Sequence, residues 1–177
     1  IHQVEDATHP EAIHYEQRAH YGTAWSRKVL AANLRRLMRQ PGRYLSTLGV
    51  LTAGMARSRD FLPKSLLVFL QAVWFAEIAE SAGAEHQHAQ WATHSTTALW
   101  VVWRLTGIPF SFTTHGADSL VDSTFLDRKL RDAKFATPTN EHLRSRLEEI
   151  EPSSIHVRHS SWRLEPLPLI ITGTLLA

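Results

Sequence analysis

Between Glu85 and Arg158, short apolar or β-branched runs alternate with stretches whose apolar residues recur at helical spacing. That alternation leaves few architectures open. Strands that each feed a helix and return to one sheet lie parallel, joined by right-handed crossovers, with helices on the sheet faces. The prediction is an α/β fold, a Rossmann-like parallel sheet with flanking helices. Its centre is the stretch from Thr106 to Asp118: a helix end at Gly107, a buried strand over Ile108–Thr114, and a strand tip bearing His115, Gly116 and Asp118. Ligands of open α/β sheets bind beyond the carboxyl ends of the strands, so those three residues are the first candidates for function.

The neighbouring segments follow from local signals. Spacing predicts helices over Ala24–Gln40 (Val29, Leu30, Asn33/Leu34, Leu37, Met38), Tyr44–Arg57 (Leu45, Leu48, Leu51) and Lys64–Ala82 (Leu66, Leu67, Leu70, Val73, Trp74, Ile78). Thr23 or Ser26 caps the first, Pro41-Gly42 stops it, and Pro63 fits the opening turn of the third. A strand over Glu85–Trp91 leads to a helix capped by Ser95 or Thr96 and ended by Gly107. Further on come a helix over Ser123–Ala133, a strand over Phe135–Thr137, a helix capped by Thr139 or Asn140, and a strand over Ser154–Arg158. Three regions result: a polar leading segment (1–23), one α/β domain (24–158), and a linker with a fresh strand (159–177), read as the opening of a further domain.

Composition narrows the function classes. In 177 residues, 44% apolar and 20% charged side chains describe a globular chain with room for one ordinary core. There is no cysteine, so disulfides, thiolate metal sites and cysteine nucleophiles are excluded. A net charge of +2 makes no global case for nucleic acid. No leader is visible, and the longest apolar run, Leu66 to Ala76 with Gln71 inside it, falls short of the ~20 residues of a spanning helix. Charge is nonetheless unevenly placed. No acidic residue occurs between Gln17 and Arg59, a span that holds Arg27, Lys28, Arg35, Arg36, Arg39 and Arg43. A basic amphipathic helix of this kind can lie on an anionic membrane surface; the plainer reading packs its apolar stripe on the domain and solvates the arginines.

Three constellations offer chemistry. His86-Gln87-His88 puts two imidazoles on one strand face, where they can share a metal or bond within the fold; no carboxylate or cysteine completes a metal set. His115-Gly116-Ala117-Asp118 can position a hydroxyl or accept a proton, or can be a turn with an Asx-type bond. Thr137-Pro138-Thr139-Asn140-Glu141 is fully explained as strand, break and helix cap. No G-x-G-x-x-G, P-loop or G-x-S-x-G is present, so no nucleotide-phosphate loop is recognised and no cofactor is expected.

The run from Glu85 through Gln90 to Thr93, followed by Leu105 to Asp118, resembles the N-terminal half of family 4 glycosyltransferases, most closely the exopolysaccharide and colanic-acid-like branch. Gln90 stands where that family's H-x-H-x-H strand has its third histidine, and His159-Ser160-Ser161-Trp162 departs from its interdomain turn. The resemblance implies a GT-B architecture of two Rossmann-like domains, with this one on the acceptor side. It implies a retaining, sugar-nucleotide-dependent transfer without a bound metal, in bacterial polysaccharide synthesis. It places His115 at the catalytic cleft, with Gly116, Asp118 and His88 on the acceptor side. The donor-binding residues would lie in a further domain, so residues 1–177 alone are expected to be inactive. The implied partners are a sugar nucleotide, a glycan or lipid-linked glycan, and an anionic membrane surface met through residues 24–60. The implied location is cytoplasmic, peripheral to the inner face of the plasma membrane. The competing reading is a non-catalytic α/β module that docks a partner or membrane through its basic helices.

Overall fold

The computed structural model describes residues 20, 22–56, 58, 61–115 and 124–152. Three helices lead: α1 (Arg27–Arg39), α2 (Pro41–Met55) and α3 (Phe61–Ser81). Then β1 (Gln87–Ala89), α4 (His94–Thr106), β2 (Phe110–Thr114), α5 (Leu126–Asp132), β3 (Phe135–Pro138) and α6 (Glu141–Ile150) alternate. The three strands form one parallel sheet in the order β1-β2-β3. This is the α/β, Rossmann-like arrangement the alternation predicts. Residues 1–19 of the predicted leading segment 1–23 lie outside the described residues, as do the predicted strand 154–158, the segment 159–177, Gly116 and Asp118.

Several boundaries follow from local chemistry. Gly107 closes α4 in the left-handed region (φ 85°), and its N–H reaches the Trp103 carbonyl at 2.7 Å. Asn140 caps α6, accepting the Leu143 N–H on its side-chain oxygen at 2.9 Å. Pro41 opens α2 instead of merely closing α1, because a missing N–H costs nothing in a first helical turn. Gly54 weakens α2 by propensity but lets it close on the start of α5: a Cβ there would fall 2.4 Å from the Phe125 ring.

The core gathers Ala89, Phe110, Phe112 and Ala136 from the sheet with Leu99, Trp100, Val102, Leu126, Leu130 and Leu147 from α4, α5 and α6. Those three helices therefore share one face of the sheet, as right-handed crossovers stepping in one direction require. The alternate strand positions, His88, Ser111, Thr113 and Phe135, belong to the other face. Helix α3 runs alongside α4 and buries Val68, Phe69, Ala72, Val73, Ala76 and Ala79. Over Leu62–Ser81 it is also long and apolar enough to cross a membrane by length and composition. The short run expected from sequence is thus part of a longer apolar helix, serving here as a core element.

The predicted inward stripe of α1 is corrected. Val29, Ala32, Asn33 and Arg36 face inward, while Leu30, Leu34, Leu37 and Met38 are exposed. Polar anchoring sets that rotation. The Asn33 amide donates to the carbonyls of Val29 (2.8 Å) and Leu70 (2.9 Å), and Tyr44 Oη donates to Asn33 Oδ1 at 3.0 Å. Arg35 and Arg36 reach Glu77 and Glu80 on α3. On α2, likewise, Leu51 is buried but Leu45 is exposed, with Tyr44, Thr47 and Met55 taking the inner face.

Candidate functional site

The carboxyl edge of the sheet is built by the ends of β1 and β2 and the start of α6. Five buried residues carry β2, so its tip is fixed in place, and His115 follows directly. The His115 ring lies 4.4 Å, centroid to centroid, from the indole of Trp91, at a 39° tilt. Trp91 is 46% exposed, the second residue of the loop that leaves β1 for α4. An exposed indole against a partly buried imidazole, at the end of the central strand, makes an aromatic wall with a polar rim.

That wall is held rigidly from behind. Ser95 Oγ (2.9 Å) and Thr96 Oγ1 (2.5 Å) both donate to the Trp91 carbonyl. The hydroxyls expected to cap α4 thus lie inside its first turn and tie down the loop before it. From α5, the buried Lys129 ammonium donates to the carbonyls of Ala92 (2.8 Å) and Thr93 (2.9 Å). Lys129 lies in phase with Leu126 and Leu130 on the apolar side of α5, and a charged head there must find oxygen partners. Trp91 and Lys129 were both missed by the motif reading. A lysine at helical spacing among leucines was the signal available.

His86 and His88 form a separate cluster on the other face of the sheet. His86 Nε2 and His88 Nδ1 both meet Ser111 Oγ at 2.8 Å, and His88 Nε2 meets Thr113 Oγ1 at 3.0 Å. Both rings stack on Phe135, at centroid distances of 5.8 and 6.4 Å. The bonds within the fold thus run to hydroxyls of the neighbouring strand. Ser111 has a single hydroxyl proton, so at most one of the two imidazoles accepts from it and at least one donates to it. His88 has both ring nitrogens engaged in these bonds. Among the described residues no group of three or more His, Asp or Glu side chains lies together as a metal set. Thr137, Pro138 and Asn140 serve as strand end and helix cap, as the plain reading has them.

Burial, then the nearby Lys134 ammonium, holds His86 below its ordinary 6.5. Burial, then His86, does the same for His88. The unfolded chain therefore binds protons that the folded chain resists. The stability contributed by the neutral rings is full above pH 6.5 and is lost as pH falls through that value towards the lower folded-state pKa. Urea midpoints are expected to fall between pH 7.5 and pH 5, and to fall less in a His86→Gln/His88→Gln variant. An equal fall in both proteins would remove these two rings as the cause.

The described residues define an α/β domain with an aromatic and imidazole edge at the carboxyl end of its parallel sheet. Comparison of the chain with protein-family models, with curated proteins and with solved structures finds no match.

Proposed function

We propose that this chain is the acceptor-side domain of a sugar-nucleotide-dependent, retaining glycosyltransferase of the GT-B type, acting in bacterial polysaccharide synthesis. One observation carries the reading: His115 at the tip of the central strand, set against exposed Trp91 on a loop tied by Ser95, Thr96 and Lys129. A sugar ring has an apolar C–H face and a rim of hydroxyls. An indole supplies a flat apolar platform for the face, and an imidazole can bond or polarise a hydroxyl near neutral pH. The resemblance of Glu85–Thr93 and Leu105–Asp118 to family 4 glycosyltransferases supports the same assignment, with Gly116 and Asp118 beside His115 on the acceptor side. Donor-gripping groups belong to a second domain in this reading, so residues 1–177 alone carry no transfer activity.

Saccharide binding by the 177-residue chain tests the acceptor role. On a glycan array, the wild type is expected to retain defined oligosaccharides. The affinity of Trp91→Ala is expected to drop at least about tenfold, with Trp91→Phe keeping part of it, since the indole face covered by the sugar contributes roughly 25 cal/mol per Å² of apolar area. No retained glycan, or binding untouched by Trp91→Ala, counts against the proposal. The second reading, a non-catalytic α/β module that docks a partner, is favoured by the outward apolar face of α1; glycan binding at Trp91 would not follow from it.

A further inference from the structure

The apolar face of α1 is self-complementary, and we propose that a second copy of this chain covers it, in a two-fold dimer built on antiparallel α1 helices. The inference stands on α1 and its flanks alone and holds whichever chemistry the strand edge performs. Leu30, Leu34, Leu37 and Met38 are exposed and fall within about 100° of arc on the 13-residue helix. Leu34 lies midway, four residues from Leu30 and four from Met38. A two-fold axis through Leu34 sets it against its own counterpart, with Leu30 of one protomer facing Met38 of its partner. Leu37 then falls opposite the small Ala31, and large against small lets the helices approach closely. The flanks obey the same symmetry. Trp25 (72% exposed) precedes α1 and Leu45 (58%) follows it on α2, so each end of the pair brings one protomer's indole towards its partner's leucine. At these exposures the six side chains offer roughly 700 Å², near the about 800 Å² per partner of a stable interface.

Charge permits this contact and sets its direction. A basic helix repels its own copy only if the cations stand on the contact stripe, and here most stand elsewhere. Arg35 is paired with Glu77 and Arg36 with Glu80. Lys28 lies over the Trp74 ring, 4.5 Å from its centroid, and Arg43 donates to the Leu105 carbonyl at 3.2 Å. Arg39 is half a turn round the helix from Leu30. Of the α1 cations, Arg27 alone shares the arc of the stripe. In a parallel pair the two Arg27 side chains would stand together and repel. In the antiparallel pair they start about 20 Å apart, beyond the screening length of about 8 Å at physiological salt. Each then meets the carbonyl end of the partner's α1, which favours a cation. The same placement leaves an anionic lipid surface few cations to meet. The polar anchors of the inner face keep the stripe turned out: Asn33 to Leu70, Arg35 to Glu77 and Arg36 to Glu80.

Analytical ultracentrifugation of the 177-residue chain over a concentration series provides the test. The wild type is expected to show a monomer–dimer equilibrium in the micromolar range. Leu34→Glu sets two carboxylates against each other on the axis and is expected to weaken the dimer at least about tenfold. It changes an exposed side chain, and a circular dichroism spectrum like that of the wild type confirms that the variant folds. Thiols read the orientation, because the chain has no cysteine of its own. Under mild oxidation Leu34→Cys is expected to give a disulfide-linked dimer, since the axis brings the two positions within bridging distance. Arg39→Cys, on the far side of the helix, is expected to stay unlinked. A wild type that is monomeric at every concentration overturns the proposal. So does a monomer that sediments with phosphatidylglycerol vesicles, which would assign the face to lipid. A dimer untouched by Leu34→Glu, or Arg39→Cys linking as readily as Leu34→Cys, overturns it as well.

Discussion

Trp100→Ala is expected to bring the domain close to unfolding at physiological temperature. Helix α4 is covered nearly all round: Thr96, Ala98, Leu99, Val101, Val102 and Leu105 are buried along with Trp100. The indole stands edge-on to Phe125, 4.8 Å between centroids, and lies under the Arg104 guanidinium. Its N–H donates to Asp132 Oδ2 at 2.7 Å, tying α4 to the end of α5. Truncating a buried tryptophan to alanine costs about 3–5 kcal/mol through lost transfer energy and the cavity left behind. Asp132 also loses its donor. A domain's whole stability is only about 5–15 kcal/mol, so the melting temperature is expected to fall by about 6–20 °C. Trp100→Phe keeps most of the volume and loses the hydrogen bond, for about 1–3 kcal/mol. Urea titration of the three proteins checks the order. Equal midpoints for wild type and Trp100→Ala would show that α4 is not the core element described.

Elements marked by local chemistry were legible in the sequence. Gly107 and Asn140 end and begin helices where they stand, because a left-handed cap and an amide cap each need only nearby residues. The strand expected over Ile108–Thr114 and found over Phe110–Thr114 was legible for the same reason, its apolar run being bounded by turn signals. The rotation of α1 was not. Spacing shows that Leu30, Leu34, Leu37 and Met38 share a face, but not that the face turns outward. The partners that decide it, Leu70, Glu77 and Glu80, lie 37 to 44 residues away in the chain. Arg36 looks like a surface residue until its partner Glu80 is known.

The candidate site divides in the same way. The place of His115 follows from strand order, since the tip of a parallel strand is where an α/β sheet offers polar groups. Its contact with Trp91 depends on how the β1–α4 loop folds back, and that depends on Lys129 arriving from α5. The spacing of His86 and His88 correctly put both rings on one face. Ser111 and Thr113 meet them only through the parallel register of β1 with β2, in which His88 is opposite Ser111. Long-range register is not written in either segment alone.

The second large effect is expected at His115. Replacing it with alanine removes a side chain that no described helix or strand needs for its core, so folding should survive. What is lost is the imidazole beside Trp91, the group proposed to hold an acceptor hydroxyl at the reacting sugar. A positioned side chain of that kind contributes about 10²–10⁴-fold to rate. The direct measurement is sugar transfer from a panel of sugar nucleotides to a lipid-linked glycan, by the two-domain enzyme the proposal requires. Wild type and His115→Ala are compared at matched fold by circular dichroism. The proposal predicts turnover by the wild type and a loss of about 100-fold or more in His115→Ala; transfer at near wild-type rate in that variant, or none by the wild type with any donor, would contradict it.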